Sequence, residues 1–216
     1  MKRFIKICGL THVASVNAAV AAGADALGFV FTESPRQVSA RHAALIASRV
    51  PQRVLRVAVM QHPTPDLWHE VETIFCPDVL QTDAADFADL EVAPDIARWP
   101  VVRQGTSGES EPLPELFVYE GVASGRGEIV DWQAAAGVAK KGRMILAGGL
   151  DCDNVARAIG IVQPFGVDVS SGVEASPGVK DPELIRAFVL AVRATEHEPA
   201  GTLQQVGQST PGKPAE

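Results

Sequence analysis

The sequence is poor in cysteine, with Cys8, Cys76 and Cys152 as the only three in 216 residues. They lie far apart and form no CxxC pair, which argues against a disulfide framework and against a zinc site. The histidines are also without metal-ligand spacing: His12, His42, His62, His69 and His197. We therefore expect no metal, and a reducing, cytoplasmic location for the protein.

Long apolar runs are missing as well. The start, MKRFIKICGL, is too short in apolar residues for a signal peptide, and no stretch approaches the ~18 residues of a membrane span. The net charge of −7 argues against nucleic acid or an anionic membrane as the partner but leaves room for a small anionic ligand. No GxGxxG or GxxxxGK[ST] motif is present, so no nucleotide cofactor is expected.

What the sequence has is an alternation of short apolar runs with helical periodicity. Runs rich in Val, Ile, Leu and Phe are typical of parallel strands buried on both faces. They predict eight strands: Arg3–Cys8, Asp25–Phe31, Val54–Met60, Asp78–Gln81, Trp99–Arg103, Leu116–Tyr119, Arg143–Ala147 and Gly166–Ser170. An open doubly wound sheet remains an alternative, but the count favours a single α/β domain, a (β/α)₈ TIM barrel.

Helical spacing follows several of these strands, as in the Val13, Val16, Val20 series and the Val155, Ile159, Val162 series. Thr64-Pro65 and Asp181-Pro182 each place a capping side chain before a proline, which predicts a helix start. The segments after strands four and five lack a helical pattern, so we expect irregular helices there. Residues 1–196 form the predicted barrel domain, and the polar residues 197–216 a disordered tail.

In such a barrel, function lies in the loops that follow the strands. Loop seven contains Gly148-Gly149 and loop eight contains Ser170-Ser171-Gly172. Glycine lets backbone N–H groups approach an anion, although it also simply shapes tight turns. Because two such loops stand at the usual phosphate positions, we interpret them as a phosphate site.

Three further residues stand at strand ends or in these loops. Arg36, in SPRQVS after strand two, offers a planar fork for a carboxylate or phosphate, although an isolated arginine is more often a solvated surface residue. Cys8 ends strand one, where a free cysteine more often packs as a small apolar side chain. Asp131 precedes the helix that begins at Trp132, so it suits a helix cap and an acid at the barrel mouth equally.

Together these motifs closely resemble phosphoribosylanthranilate isomerases of tryptophan biosynthesis over roughly residues 3–195. The resemblance rests on KICGLT, GADALGFVF, SPRQVS, VDW, LAGGL and GVDVSSGVEASPGVKD. It implies a (β/α)₈ barrel that converts N-(5-phosphoribosyl)anthranilate into 1-(2-carboxyphenylamino)-1-deoxyribulose 5-phosphate by an Amadori rearrangement, without metal or cofactor. The expected partner is then a small-molecule phosphosugar. The resemblance is compatible with either a monomer or a homodimer.

The resemblance also implies roles for individual residues. Cys8 is the expected base and Asp131 the expected acid, while Arg36 binds the anthranilate carboxylate. Gly148, Gly149, Ser171 and Gly172 hold the phosphate, with Asp168 near the sugar. As a base, Cys8 should have a pKa below the free value of about 8.5. As an acid, Asp131 should be kept protonated by burial or by a neighbouring negative charge.

The middle of the chain departs from the family pattern. Strand three reads VAVMQHP instead of a GVF-like run, and strand four reads LQTDAADF instead of QLHG. Strand six ends VYEG where an aspartate commonly follows paired leucines, and the loop ASGRGEIVDW lacks the usual GGTG. Gln81, Thr82 and Arg126 are candidates to compensate. Two alternatives to an active isomerase stay open: a phosphosugar-binding barrel without turnover, and an isomerase of a related aminoaldose phosphate.

Overall fold

The computed structural model describes residues 2–106, 113–122 and 129–196. Eight parallel strands close into a barrel in chain order, and the last pairs with the first. They are β1 (Phe4–Cys8), β2 (Ala26–Val30), β3 (Leu55–Val59), β4 (Val79–Asp83), β5 (Ala97–Arg103), β6 (Leu116–Glu120), β7 (Arg143–Leu146) and β8 (Gly166–Val169). The predicted (β/α)₈ barrel is confirmed, and the open sheet is excluded because both edges are paired.

Helices cover the outside of this barrel. They are α1 (Val13–Ala22), α2 (Ala40–Ile46), α3 (Pro65–Phe75), α4 (Trp132–Ala139), α5 (Val155–Val162) and α6 (Pro182–Ala194). The connection after β4 holds a 3₁₀ helix, Ala84–Ala88, which confirms the expected irregular helix. In the described parts of the connection after β5, residues 104–106 and 113–115, there is no helix, and the rest of that connection lies outside the described residues.

The two predicted helix starts are confirmed by side-chain caps. The Thr64 hydroxyl accepts from the Leu67 N–H at 3.2 Å, and the Asp181 carboxylate accepts from the Glu183 N–H at 2.8 Å. The inward face of α1 differs from the prediction, because Val16 is buried while Val13 is 46% exposed. Each predicted strand is present, with ends that move by one or two residues.

The barrel interior is filled in layers. Its lower part is an apolar cluster that includes Ala26, Val57, Val118 and Ile145, with Trp99 edge-on to Phe4 at a centroid distance of 5.7 Å. Successive side chains of a strand alternate between its two faces, so Lys6 and Cys8 of β1 both point inward above this cluster. Among the described residues, the buried polar side chains Lys6, Gln81 and Asp168 lie above this cluster, towards the carboxyl ends of the strands.

Loop eight contains a small hairpin that the sequence pattern did not predict, β9 (Glu174–Ser176) with β10 (Val179–Lys180). It carries Glu174 and Lys180 back over the barrel mouth before α6 begins. Among the described helices, none is both long and apolar enough to cross a membrane. The predicted tail, residues 197–216, lies outside the described residues.

Candidate active site

A cavity of about 270 Å³ opens at the carboxyl ends of the strands. Its lining comes from opposite sides of the barrel and includes Cys8, Arg36, Gln81, Glu120, Gly149 and Asp168. These residues lie at or just beyond the ends of six different strands. The closed barrel therefore brings together groups that are far apart in the chain, at the end where such barrels hold their chemistry.

Cys8 reaches this cavity from the end of β1 and is a free, buried thiol. Its neighbour on β2 is Gly28, where an added Cβ would lie only 2.8 Å from the Cys8 sulfur. Glycine at this position thus makes room for the thiol. Burial raises the pKa of the Cys8 thiol, and the opposing charge of Lys6 does not outweigh it. The expected pKa below the free value was wrong, because removal from water disfavours the thiolate.

Asp168 lines the same cavity and is paired with Lys6. The two residues are register partners on β8 and β1, and the Lys6 ammonium donates to Asp168 Oδ2 at 2.7 Å. The Lys6 side chain is fully buried and that of Asp168 is 8% exposed. The second carboxylate oxygen of Asp168 has no hydrogen-bond partner, and neither does the side-chain oxygen of Gln81. Two buried acceptors are therefore available to hydroxyl donors of a ligand.

Arg36 is buried rather than solvated, being 8% exposed, and it lines the cavity. Its guanidinium donates to both carboxylate oxygens of Glu174, at 2.7 and 2.9 Å. The Lys180 ammonium donates to the same carboxylate at 2.7 Å and to the Ser170 carbonyl at 2.9 Å. Burial would raise the pKa of Glu174, but the hydrogen bonds from Arg36 and Lys180 outweigh it and lower that pKa.

Loops seven and eight meet as expected. Asp151 and Gly172 form an isolated bridge between them, and a Cβ at Gly172 would lie 2.0 Å from the Leu150 carbonyl oxygen. Gly149 has φ +62° and lies against Ile129, so both loops require glycine for close approach. Gly148 and Gly149 line the cavity together with Ser170, whereas Ser171 is exposed and, like Gly172, is not among the described lining residues.

Asp131 occupies the capping position rather than the cavity. Its carboxylate is exposed and accepts from the backbone N–H groups of Gln133 and Ala134 at 2.8 and 3.2 Å. It is not among the described residues that line the cavity. The Asp131 side chain is therefore exposed and not buried, and its carboxylate caps the start of α4. Glu120, at the end of β6, does line the cavity and is mostly buried, with 15% of its side chain exposed.

Glu120 belongs to a cluster of charged side chains at the ends of β3 to β6, where the sequence departs from the family pattern. Arg103 of β5 donates to Glu120 at 2.5 Å and to Asp83 of β4 at 2.9 Å. His62, after β3, contacts Asp86 at 2.9 Å and Asp83 at 3.6 Å. The hydrogen bond to Asp86 raises the pKa of His62.

The ligand atoms of His62, Asp83 and Asp86 all lie within 4.8 Å of one another, which is close enough for one metal ion. Asp83, however, is already paired with the Arg103 guanidinium, and Asp86 accepts a hydrogen bond from the Thr82 hydroxyl. The group is therefore described as a cluster of ion pairs and hydrogen bonds. The histidine spacing gave no metal signal because His62 and the two aspartates come from different connections.

Sequence reasoning missed Lys6, Glu174, Lys180 and Glu120. The signal for Lys6 was available, since a lysine two residues before Cys8 on a buried strand must share the inward face of that thiol. Glu120 was visible as the residue that ends strand six. Nothing in the sequence alone paired Arg36 with Glu174, because 138 residues separate them.

The closed parallel barrel and the thiol and carboxylates at its mouth define the class: this is a (β/α)₈-barrel enzyme. A sequence model described as N-(5'phosphoribosyl)anthranilate (PRA) isomerase matches residues 5–191. The chain therefore belongs to the N-(5'-phosphoribosyl)anthranilate isomerase family.

Individual relatives agree with this assignment. The N-(5'-phosphoribosyl)anthranilate isomerase of Rhodopseudomonas palustris (strain BisB18) is 36% identical, over 91% of this chain and 98% of the relative. The phosphoribosyl anthranilate isomerase of Thermotoga maritima has a TM-score of 0.76 and 29% identity, over 89% of this chain and all of its own.

A further solved structure contains a ligand. It is a phosphoribosyl anthranilate isomerase in complex with reduced 1-(o-carboxyphenylamino)-1-deoxyribulose 5-phosphate. Its TM-score to this chain is 0.74 and its identity is 29%, over 89% of this chain and 100% of the other. The molecule bound to that relative is a phosphorylated sugar joined to an aromatic carboxylate.

Proposed function

We propose that this protein is an isomerase of tryptophan biosynthesis that converts N-(5-phosphoribosyl)anthranilate into 1-(2-carboxyphenylamino)-1-deoxyribulose 5-phosphate. The observation that carries the proposal is the placement of Cys8, Arg36 and Asp168 in the lining of one cavity, in a member of this family. The reaction is an Amadori rearrangement, which needs one acid and one base but moves no electrons between molecules.

Cys8 is the base of the proposed reaction. An acid first protonates the furanose ring oxygen, the C1–O bond breaks, and the anthranilate nitrogen forms a protonated C=N bond with C1. The Cys8 thiolate then takes the proton from C2, and the released electron pair forms the enolamine. Tautomerisation, with a proton added at C1 and one lost from the C2 hydroxyl, gives the ketone. A base must stand within hydrogen-bond reach of that proton, and Cys8 is the thiol in the cavity lining.

For the acid we propose Asp131, the residue that the resemblance implies. It caps α4 and so lies in the connection after β6, at the carboxyl ends of the strands, where the cavity opens. Glu120 is the alternative acid, because it lines the cavity together with Cys8. Its carboxylate, however, is ion-paired with the Arg103 guanidinium at 2.5 Å, which favours the ionised form over the protonated acid. The acid has to reach the ring oxygen of a sugar whose C2 lies at Cys8.

The remaining lining suits the rest of the substrate. Arg36 would bind the anthranilate carboxylate, with Glu174 fixing the guanidinium plane from behind. Asp168 Oδ1 and the Gln81 oxygen are unpartnered acceptors for sugar hydroxyls. Gly148 and Gly149 would hold the phosphate through backbone N–H groups, and Ser171 and Gly172 would complete that site from loop eight.

The experiment is a turnover assay that follows the loss of substrate fluorescence with phosphoribosylanthranilate made in situ. We expect rapid turnover by the wild type and a loss of about 10²-fold to 10⁴-fold in kcat for Cys8→Ala and Asp131→Asn, as for removal of a general base or acid. Because asparagine caps a helix as well as aspartate, a loss of activity in Asp131→Asn reports the acid and not the cap. Glu120→Gln, which removes the alternative acid, should retain more activity than Asp131→Asn.

Other outcomes would change the assignment. Collapse of Glu120→Gln with an active Asp131→Asn would make Glu120 the acid. A wild type that binds a reduced product analogue without turnover would be a phosphosugar-binding barrel. Activity on a different aminoaldose phosphate alone would indicate the related isomerase. We further propose a cytoplasmic protein that works as a monomer or homodimer without nucleic acid, membrane, metal or cofactor.

A further inference from the structure

A charged side chain, Lys6, lies in the layer below the cavity and has no role in the reaction steps proposed above. The Lys6 ammonium is fully buried and is not among the described lining residues, yet its partner Asp168 and its neighbour Cys8 both line the cavity. Replacing a buried ion pair by apolar side chains is often neutral or stabilising. The fold therefore gains little from a lysine here, and a role in the site accounts for it better.

The thiol and the ammonium stem lie side by side. Lys6 and Cys8 share the inward face of β1, and both cover Gly28 of β2. A Cβ added at Gly28 would lie 2.8 Å from the Cys8 sulfur and 3.2 Å from Lys6 Cε. Burial lowers the pKa of Lys6, but the charge of Asp168, followed by that of the Cys8 sulfur, outweighs burial and raises this pKa. Lys6 thus remains an ammonium beside the sulfur.

Other charges face the sulfur from the neighbouring elements. Asp168 of β8 opposes thiolate formation, Lys180 of β10 favours it, and Arg36 from the loop after β2 lies within electrostatic reach. Lys180 and Arg36 are both engaged by Glu174. Lys6 is the larger of the favourable influences on the thiolate, and it lies beside the sulfur on the same face of β1.

We propose that Lys6 is a positioning residue whose ammonium, shared between Asp168 and the Cys8 sulfur, stabilises the thiolate that accepts the substrate proton. The proposal rests on the function of Cys8 proposed above. Before the reaction the thiol must lose its proton to water, a step that burial of Cys8 opposes and the Lys6 ammonium favours, while Lys6 keeps all of its own protons. When the thiolate takes the C2 proton, the ammonium turns fully to Asp168. Lys6 therefore acts through its neighbours and never touches substrate.

The test is the pH profile of alkylation of Cys8 by iodoacetamide, read by peptide mass spectrometry with the exposed Cys76 as internal reference. It needs no substrate, so it can succeed or fail whatever the turnover assay shows. The rate follows the thiolate fraction. We expect Lys6→Met to move the Cys8 profile to higher pH, with the alkylation rate at neutral pH falling about tenfold for every pH unit that the profile moves. Asp168→Asn should move it to lower pH.

Two further variants keep the test decisive. Lys6→Met leaves Asp168 buried without a partner, so the double variant Lys6→Met/Asp168→Asn tests the same point if the single variant does not fold. Its profile should still lie above that of the wild type, because Lys6 has the larger influence. Lys2→Met, which removes an exposed lysine on the same segment, should change nothing. A wild-type profile in the double variant would overturn the proposal.

Turnover supplies a second criterion. Because Lys6 is not in the cavity lining, Lys6→Met should lower kcat, move the acidic limb of the kcat profile to higher pH and leave KM nearly unchanged. A raised KM with an unshifted limb would mean that Lys6 only supports the shape of the cavity, and this would also overturn the proposal.

Discussion

At the scale of single residues, the charged side chains at the barrel mouth form small groups in which each charge is paired with a neighbour of opposite sign. Glu174 accepts from Arg36 and Lys180 at once, and all three side chains are 10% exposed or less. A buried charge is tolerated only when it is paired and hydrogen-bonded, so these groups depend on one another. The orientation of Arg36 is therefore set by a residue 138 positions away in the chain.

Glu174→Gln should destabilise the protein by about 3 kcal/mol, since it leaves two buried cations with a neutral partner. Because the pKa of Glu174 is lowered in the fold, its contribution is present above the unfolded value, near 4.5, and is lost as pH falls through the folded pKa. Urea unfolding at neutral and acidic pH measures both. Glu183→Gln, which breaks an exposed pair with Arg186, should change stability by less than about 0.5 kcal/mol. A difference from the wild type that does not shrink on acidification would contradict this account.

The sequence predicted which residues belong to the site better than it predicted their burial, pKa shifts and hydrogen-bond partners. Cys8, Arg36 and Asp168 were identified and line the cavity, while Asp131 caps α4 and is not among the described lining residues. Strand alternation and motif position indicate which residues face inward. They do not give burial or partners, so the raised pKa of Cys8 and the pairing of Arg36 needed the folded chain.

At the scale of strands and loops, the departures from the family pattern turn out to be connected. His62 follows β3, Asp83 ends β4, Arg103 ends β5 and Glu120 ends β6, and they form one series of contacts along that side of the mouth. Changes that look independent in the sequence are neighbours in space. An ion-pair series thus stands where the sequence lacks the histidine of QLHG, and it fixes Glu120 from the side.

Gly28 of β2 allows a test of how closely β2 packs against Cys8 of β1. Gly28→Ala would place a Cβ 2.8 Å from the Cys8 sulfur and 3.1 Å from the Cys8 Cα. Overpacking of this kind costs about 1–3 kcal/mol, and here it also displaces the proposed base. We expect kcat to fall more than stability does, as judged by kinetics beside thermal unfolding. Gly160→Ala in α5, where a Cβ meets nothing within 4 Å, is the control and should be neutral or stabilising. Full activity in Gly28→Ala would show that the thiol has room to move.

At the scale of the whole molecule, hydrogen bonds and ion pairs connect the last helix to the start of the barrel. Glu196 accepts from the Arg3 N–H and from the Arg193 guanidinium, both at 2.7 Å. Arg193 also reaches Asp25, which accepts from the Ile5 N–H at 3.0 Å. The helix after the last strand is thereby tied to the first two strands. Local apolar runs predicted each strand, but this closure depends on long-range ion pairs that no short pattern reveals.

Removal of residues 197–216 should therefore leave turnover unchanged, because the described contacts that close the barrel end at Glu196. The measurement is the fluorescence assay and thermal unfolding on a chain that stops after Glu196. A second chain that stops after Ala194 also loses Glu196 and should unfold at a lower temperature. A large loss of activity in the longer of the two would show that the removed residues contribute to the barrel.

The circular pairing of the strands has a consequence for how the molecule opens. In the described barrel each strand has a hydrogen-bonded neighbour on both sides, so none presents an unpaired row of N–H and C=O groups. Exposed edges are where other chains add strands, and a ring of this kind offers them none. Its central amides should accordingly exchange with deuterium only through cooperative opening of many strands at once, slowly and with similar rates around the ring.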